Sequence, residues 1–147
     1  KTGASTLGIR ESRRFSGKYV MNISDLREAR RFPDVVVHKA QFVVDIHNPV
    51  GGGQANGIAE YVDAYDIPWR SLVPQKMENL ILAGRCISGT HEAMASYRVM
   101  AIAMAIGEAA GIGAALAIDH DVTPENLDVK YIQKALMDKG AVLFDAK

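Results

Sequence analysis

Cysteine is nearly absent: Cys86 stands alone among 147 residues. A lone thiol can close no intrachain disulfide framework and no cysteine-rich zinc site, so a reducing, cytoplasmic setting is expected and no metal centre. Net charge is absent as well, with 17 Lys and Arg against 17 Asp and Glu. A balanced chain lacks the basic footprint that drives binding to nucleic acid. Internal repeats and low-complexity tracts are missing, as is a secretory leader with a charged n-region before an apolar h-region. The chain opens on Lys1-Thr2-Gly3 without an initiator Met, which reads as a fragment or a processed product. Long apolar runs are limited to one, Val99 to Ile118, whose single charge is Glu108. Ala and Gly dominate it, an ionised Glu at its middle would cost about 2–4 kcal/mol in lipid, and no Lys or Arg cluster follows to orient it. It is expected to be a buried helix, and no membrane partner is expected.

The balanced charge is unevenly spread. Residues 1–39 hold nine Lys and Arg against four Asp and Glu, whereas the remainder holds eight against thirteen. A basic front suits an anionic ligand or an acidic neighbouring surface. Residues 9–15 are compatible with an exposed strand. Ser24 to Arg31 reads as a helix with Ser24 as N-cap and Pro33 past its end. Phe42 to Ile46 reads as a short strand stopped at Asn48-Pro49, residues 51–57 as a glycine-rich loop, and Tyr65 to Leu72 as an edge strand around Pro68. Leu80-Ile81-Leu82-Ala83-Gly84 is an apolar run that suits a strand buried on both faces. A polar loop from Arg85 to Thr90 leads into a helical segment from His91 or Glu92 to Ile118. In it Gly107 and Gly111 would admit a close sheet, and Met94, Met100 and Met104 read as core filler. A last helix is expected over Val129 to Lys139, with Asp128 as N-cap and Gly140 beyond its end.

A strand ending in glycine followed by a helix N-terminus is a ligand-binding arrangement, because the glycine admits close approach and the helix end offers unpaired N–H groups. The run Asn79-Leu80-Ile81-Leu82-Ala83-Gly84-Arg85-Cys86-Ile87-Ser88, with His91-Glu92-Ala93 and Ala95-Ser96-Tyr97-Arg98-Val99-Met100, resembles the C-terminal flavin-binding segment of FAD-dependent oxidoreductases of the glutathione-reductase-like superfamily. Gly8-Ile9-Arg10-Glu11-Ser12-Arg13-Arg14, Asp45-Ile46-His47-Asn48-Pro49 and Tyr65 to Pro74 resemble the same family, in the same order. The resemblance implies an α/β chain forming the C-terminal part of a two-domain FAD-binding fold. Residues 1–78 would end a β-rich substrate-binding domain, and residues 79–147 would supply the last strand and long buried helix of the FAD-binding domain. It implies FAD as cofactor and hydride transfer between flavin and a small organic substrate. Gly84, Arg85, Cys86, Ser88, His91, Arg98, Val99 and Met100 fall at the positions that would meet the flavin, with Arg85 toward a phosphate and a turn at Arg98-Val99-Met100 offering backbone N–H groups and the Arg98 guanidinium to flavin N1 and O2. The helix proper would then begin near Arg98, with His91 to Tyr97 as an entry turn.

The G-x-G-x-x-G turn of a dinucleotide-binding βαβ unit is not found in these 147 residues. The expected partners are therefore the N-terminal FAD-binding portion, or a subunit that supplies it, and a small-molecule substrate. Assembly with a second copy is also open.

His47 and His91 are the candidate acid–base residues. The plainer reading of His47 is a turn histidine bonding local backbone, and His91 with Glu92 has the look of an acid–base pair although adjacent helical residues do not face each other. Arg10, Arg13 and Arg14 are candidates to clamp a substrate carboxylate or phosphate, against a solvated face with common salt bridges. Cys86 reads either as a flavin-edge thiol or as a buried inert one. A non-catalytic folded fragment or interaction module with no activity alone stands beside the oxidoreductase reading.

Overall fold

The computed structural model describes residues 10–11, 13–48, 51 and 59–145. Gly8, Ile9, Ser12, Pro49 and all of the glycine-rich loop except Gly51 lie outside the described residues. In chain order the elements are α1 (Ile23–Arg27), β1 (Val35–Ala40), β2 (Tyr65–Pro68), α2 (His91–Tyr97), α3 (Met100–Asp119) and α4 (Val129–Asp138). Single 3-10 turns stand at Trp69–Ser71 and Gly84–Cys86. Helices and a small antiparallel sheet thus make a mixed α/β chain.

The sheet is β1 against β2, with Val35 opposite Pro68, Val37 opposite Ile67 and Ala40 opposite Tyr65, and two irregularities in the register. Val35, Val36, Val37, Tyr65 and Ile67 supply its β-branched and aromatic residues, and β2 is buried along its whole length. Both α3 and α4 pack on β1, and α4 packs on α3. One continuous core runs from Met21 to Leu143, with Leu26, Tyr65, Ile67, Tyr97, Ile106 and Ile132 fully buried.

Helix starts follow their caps. Asn22 accepts from the backbone N–H groups of Ser24 and Asp25, while the Asp25 carboxylate accepts from Asn22 N at 2.9 Å. This reciprocal capping box starts α1 two residues earlier than a Ser24 cap would, and the helix ends at Arg27 instead of reaching Arg31. Asp128 caps α4 through Lys130 N at 3.0 Å, as its sequence implies.

Several local expectations change in three dimensions. Phe42 to Ile46 forms only the isolated bridge Val44–Glu60. Tyr65 to Leu72 divides into β2 and a 3-10 turn, and the partner of β2 is the strand that holds the Val35-Val36-Val37 run. Leu80 to Gly84 is not a strand among the described residues. It is held by Leu82 N donating to Leu72 O at 2.7 Å, without a ladder. The helical segment after it breaks at Arg98-Val99, where the family resemblance puts a turn, but His91 to Tyr97 is a helix and not only an entry turn, giving α2 and α3.

The helix α3 is not buried all round. Ile102, Ile106, Ala109, Ala110, Gly113 and Ala117 form one buried face, whereas Met100 and Met104 are 83% and 75% exposed. Of the three methionines read as core, only Met94 is buried. By length and composition α3 could cross a membrane, with mean hydropathy 1.9 and one-third of that stretch buried; core helices pass the same test. The close approach falls at Gly113, where a Cβ would come within 2.4 Å of the Trp69 ring, and not at Gly107 or Gly111, which face open space.

Candidate functional site

The N-terminal segment is laced into two loops by backbone hydrogen bonds. Phe15 N donates to Cys86 O at 3.2 Å, Met21 N to Ser88 O at 3.1 Å and Thr90 N to Met21 O at 2.7 Å. Ser88 N in turn donates to Ser71 O at 3.0 Å. This lacing sets Arg10, Glu11, Arg13 and Arg14 beside the 84–90 loop and the first turn of α2.

Two histidines, each bonded to a carboxylate, face one cavity there. His91, the first residue of α2, bonds Glu11 through Nδ1. The other oxygen of Glu11 pairs with Arg14, whose Nε donates to Gly89 O at 2.8 Å. On the opposite side, His47 Nε2 lies 2.9 Å from Asp45 Oδ2. Arg98 Nη2 is 3.2 Å from that same oxygen and donates to Asp45 O at 2.8 Å. Each set thus has the order histidine, carboxylate, arginine.

The shared cavity is about 320 Å³, and its lining includes Arg10, Glu11, Asp45, His47, Asn48, His91 and Arg98. The imidazoles remain 40% (His47) and 51% (His91) exposed, so a ligand can reach them. A second cavity of about 440 Å³ shares Arg10 and Glu11 and adds Arg13, Arg14, Ala83, Arg85 and Cys86.

Burial draws the Arg98 guanidinium below the ordinary arginine pKa; Asp45 opposes this, while Arg10 and Arg85 add to the lowering. The group stays charged at physiological pH. Glu92 is held below the usual carboxylate range by its own backbone N–H and by the Thr90 hydroxyl at the start of α2. Beneath the site, burial pushes Tyr65 up to about 12 against the opposing effect of its hydrogen bond with Ser96, and it raises Tyr97 also.

Of the flavin positions implied by the sequence, His91 and Arg98 line the histidine cavity, and Arg85 and Cys86 line the arginine cavity. Cys86 is half-buried, its thiol 3.3 Å from Ala83 O, rather than sealed in the core. Gly84 turns the chain with a left-handed φ of 71°, beside open space. Ser88 is fully buried under the loop and lines neither cavity, and Val99 and Met100 begin α3 outside both linings. Glu11 and Asp45 were missed as site residues. Asp45, two positions before His47, was a local signal; the reach of Glu11 to His91 was not.

Residues 2–136 match the family model described as FAD dependent oxidoreductase. The chain belongs to the FAD-dependent oxidoreductase family. No curated protein and no solved structure matches it. Membership makes FAD binding a property of the family, and the residues present fit one side of such a site. The open turn at Gly84, the guanidiniums of Arg85 and Arg98, and the start of α3, where no side chain caps the first N–H groups, are groups that suit phosphates and an electron-rich flavin edge.

Proposed function

We propose that this chain forms the substrate-facing side of a flavin oxidoreductase site, in which His47 or His91 moves the proton that accompanies hydride transfer. The observation that carries the reading is the convergence of two histidine–carboxylate–arginine sets on one cavity. A carboxylate bonded to one ring nitrogen fixes the tautomer and leaves the other nitrogen to exchange a proton with a ligand. FAD, when bound, supplies the hydride acceptor or donor. Arg10, Arg13 and Arg14 orient the substrate, and Gly84, Arg85, Cys86, Ser88, Arg98, Val99 and Met100 are the residues that would hold the flavin.

In this reading the dinucleotide-binding βαβ unit lies outside these residues, on the same polypeptide or a partner subunit. Residues 1–78 then close a substrate-binding domain and residues 79–147 complete the FAD-binding one. The apolar outer face of α3 and the unladdered Leu80–Ala83 run support this placement, since both offer surface of the kind a sheet covers. The same face favours the second reading, a partner-binding subunit that is inactive by itself.

The test is reduction or reoxidation of flavin by the FAD-loaded protein with a panel of small organic acids. His47→Asn and His91→Asn are each expected to change the pH dependence, and the stronger of the two to lower the rate by about 10²–10⁴-fold. Full rates and an unchanged pH profile in both variants would overturn the proposal.

A further inference from the structure

His38 stands in β1 and lines neither cavity, and its imidazole is the most deeply buried of the histidines, with the side chain 3% exposed. Its Nδ1 lies 2.8 Å from Asp66 Oδ1. That oxygen, on a buried residue of β2, also accepts from Arg31 Nη1 at 3.0 Å and Lys39 N at 3.3 Å, while Phe32 N donates to the other oxygen at 3.4 Å. An ionised carboxylate can only accept, so Nδ1 carries the hydrogen and Nε2 presents a lone pair. Buried Nε2 has no hydrogen-bond partner, yet it sits 3.6 Å from Asp145 Oδ1. A lone pair gains nothing from a carboxylate at that distance. A protonated Nε2 faces it as a cation faces an anion.

The backbone is shaped to make this meeting. Asp145 Oδ1 also pairs with Lys39 Nζ, although consecutive residues of a regular strand point to opposite faces. The register of β1 shifts between Val37 and Ala40, and Lys39 takes a left-handed φ of 53°. That conformation is unfavourable for a residue with a Cβ, and here it accompanies the convergence of two neighbours on one oxygen. What they hold is the segment after α4. Gly140 turns the chain, Ala141 N donates to Leu136 O at 3.0 Å, and Leu143 returns to the core. The charged groups facing His38 are thus Asp66 from β2, Arg31 from the stretch after α1, Lys39 from β1 and Asp145. From α4 the side chain turned onto β1 is the neutral Gln133, and the charged residues of α3 and α4 are all exposed.

We infer that His38 and Asp145 form a proton-operated clasp: a proton on Nε2 fastens the C-terminal segment to β1, and its loss loosens that hold. Imidazole is the side chain whose charge ordinarily changes between about pH 5 and pH 8. The attraction exists only while Nε2 is protonated, so it is present at the acid end of this range and is lost as pH rises through the titration of His38. Lys39 keeps its own pairing with Asp145 at both ends.

The test uses the full chain, with the imidazole nitrogens followed by NMR as pH is varied. Asp145→Asn, at an exposed position, is expected to weaken proton binding at His38 by about threefold to fivefold. By reciprocity the proton must tighten the segment by the same factor. Hydrogen-exchange protection of the amides of residues 141–145 is therefore expected to be about threefold to fivefold greater near pH 5.5 than near pH 8. His38→Gln should abolish that ratio, whereas Lys39→Gln should lower protection at both pH values and keep it. Where His38→Gln loses its helical circular dichroism, the ratio is read in Asp145→Asn, which should abolish it as well. Proton binding at His38 that is unchanged or tighter in Asp145→Asn overturns the inference. So does protection that is equal at the two pH values, greater at the higher one, or still pH-dependent by the same ratio in the variants without His38 or Asp145.

Discussion

The last two helices of the chain handle apolar surface in opposite ways. In α4 the buried residues are Ile132, Gln133 and Leu136 on one face, and its charged residues face solvent. Even the buried amide is satisfied, with Gln133 Nε2 donating to Pro33 O at 2.9 Å and Val35 O at 3.0 Å. The helix α3 instead carries apolar residues all round. It buries one face on β1 and α4 and leaves Met100, Met104 and Ile118 outside. One helix is a finished surface; the other has more apolar area than the described residues cover. Stability is therefore expected to depend on the inward faces of both helices and hardly at all on the outer face of α3.

The largest effect should come from the shared core. Ile106→Ala in α3 and Ile132→Ala in α4 each remove a fully buried side chain and are expected to cost about 2–5 kcal/mol in denaturant unfolding. Met104→Ala should stay within about 0.5 kcal/mol. A comparable loss there would show that the outer face is already packed.

Alkali probes the layer under the site. An unfolded tyrosine titrates near pH 10, whereas burial pushes Tyr65 up to about 12 and raises Tyr97 as well. The folded state then keeps protons that the unfolded chain gives up. This stability is fully present below pH 10 and is lost as pH rises toward 12, by about 1.4 kcal/mol per pH unit for each tyrosine. Tyr65→Phe should flatten the slope of unfolding free energy against pH, and an unchanged slope would remove Tyr65 as its source.

Glycine substitutions separate the two faces of α3 directly. Gly113→Ala puts a Cβ into the Trp69 ring and should lower stability by about 1–3 kcal/mol. Gly107→Ala meets open space and should raise stability by about 0.5–1 kcal/mol in a helix interior. Equal shifts in melting temperature would mean that α3 sits in another rotation. A last change concerns α4 alone: Asp128→Ala removes the cap on Lys130 N and should cost about 1 kcal/mol, read as a loss of helical circular dichroism on mild heating.

Legibility followed the range of the interactions. The start of α4 was readable because Asp128 acts on a residue two positions away. The Leu80–Gly84 run was misread because a short apolar stretch has the same pattern whether or not a ladder partner lies beside it. The strand β1 escaped notice although Val35-Val36-Val37 is β-branched, since its pairing partner begins far along the chain at Tyr65. His47 and His91 were visible as reactive residue types in suggestive local settings. Their partners were not: Glu11 is 80 positions from His91, and Arg98 is 53 from Asp45.

By itself the sequence determined the mixed α/β character, the caps of α4, the apolar identity of α3 and the motifs that place the chain in its family. All of these depend on residue type and spacing within a few turns of backbone. Only the tertiary structure decided which face of α3 is covered, that Gly113 and not Gly107 is the tight contact, and that two carboxylates orient two histidines over one cavity. Those outcomes depend on which distant segments the chain's reversals bring within hydrogen-bonding distance, and no local propensity encodes that.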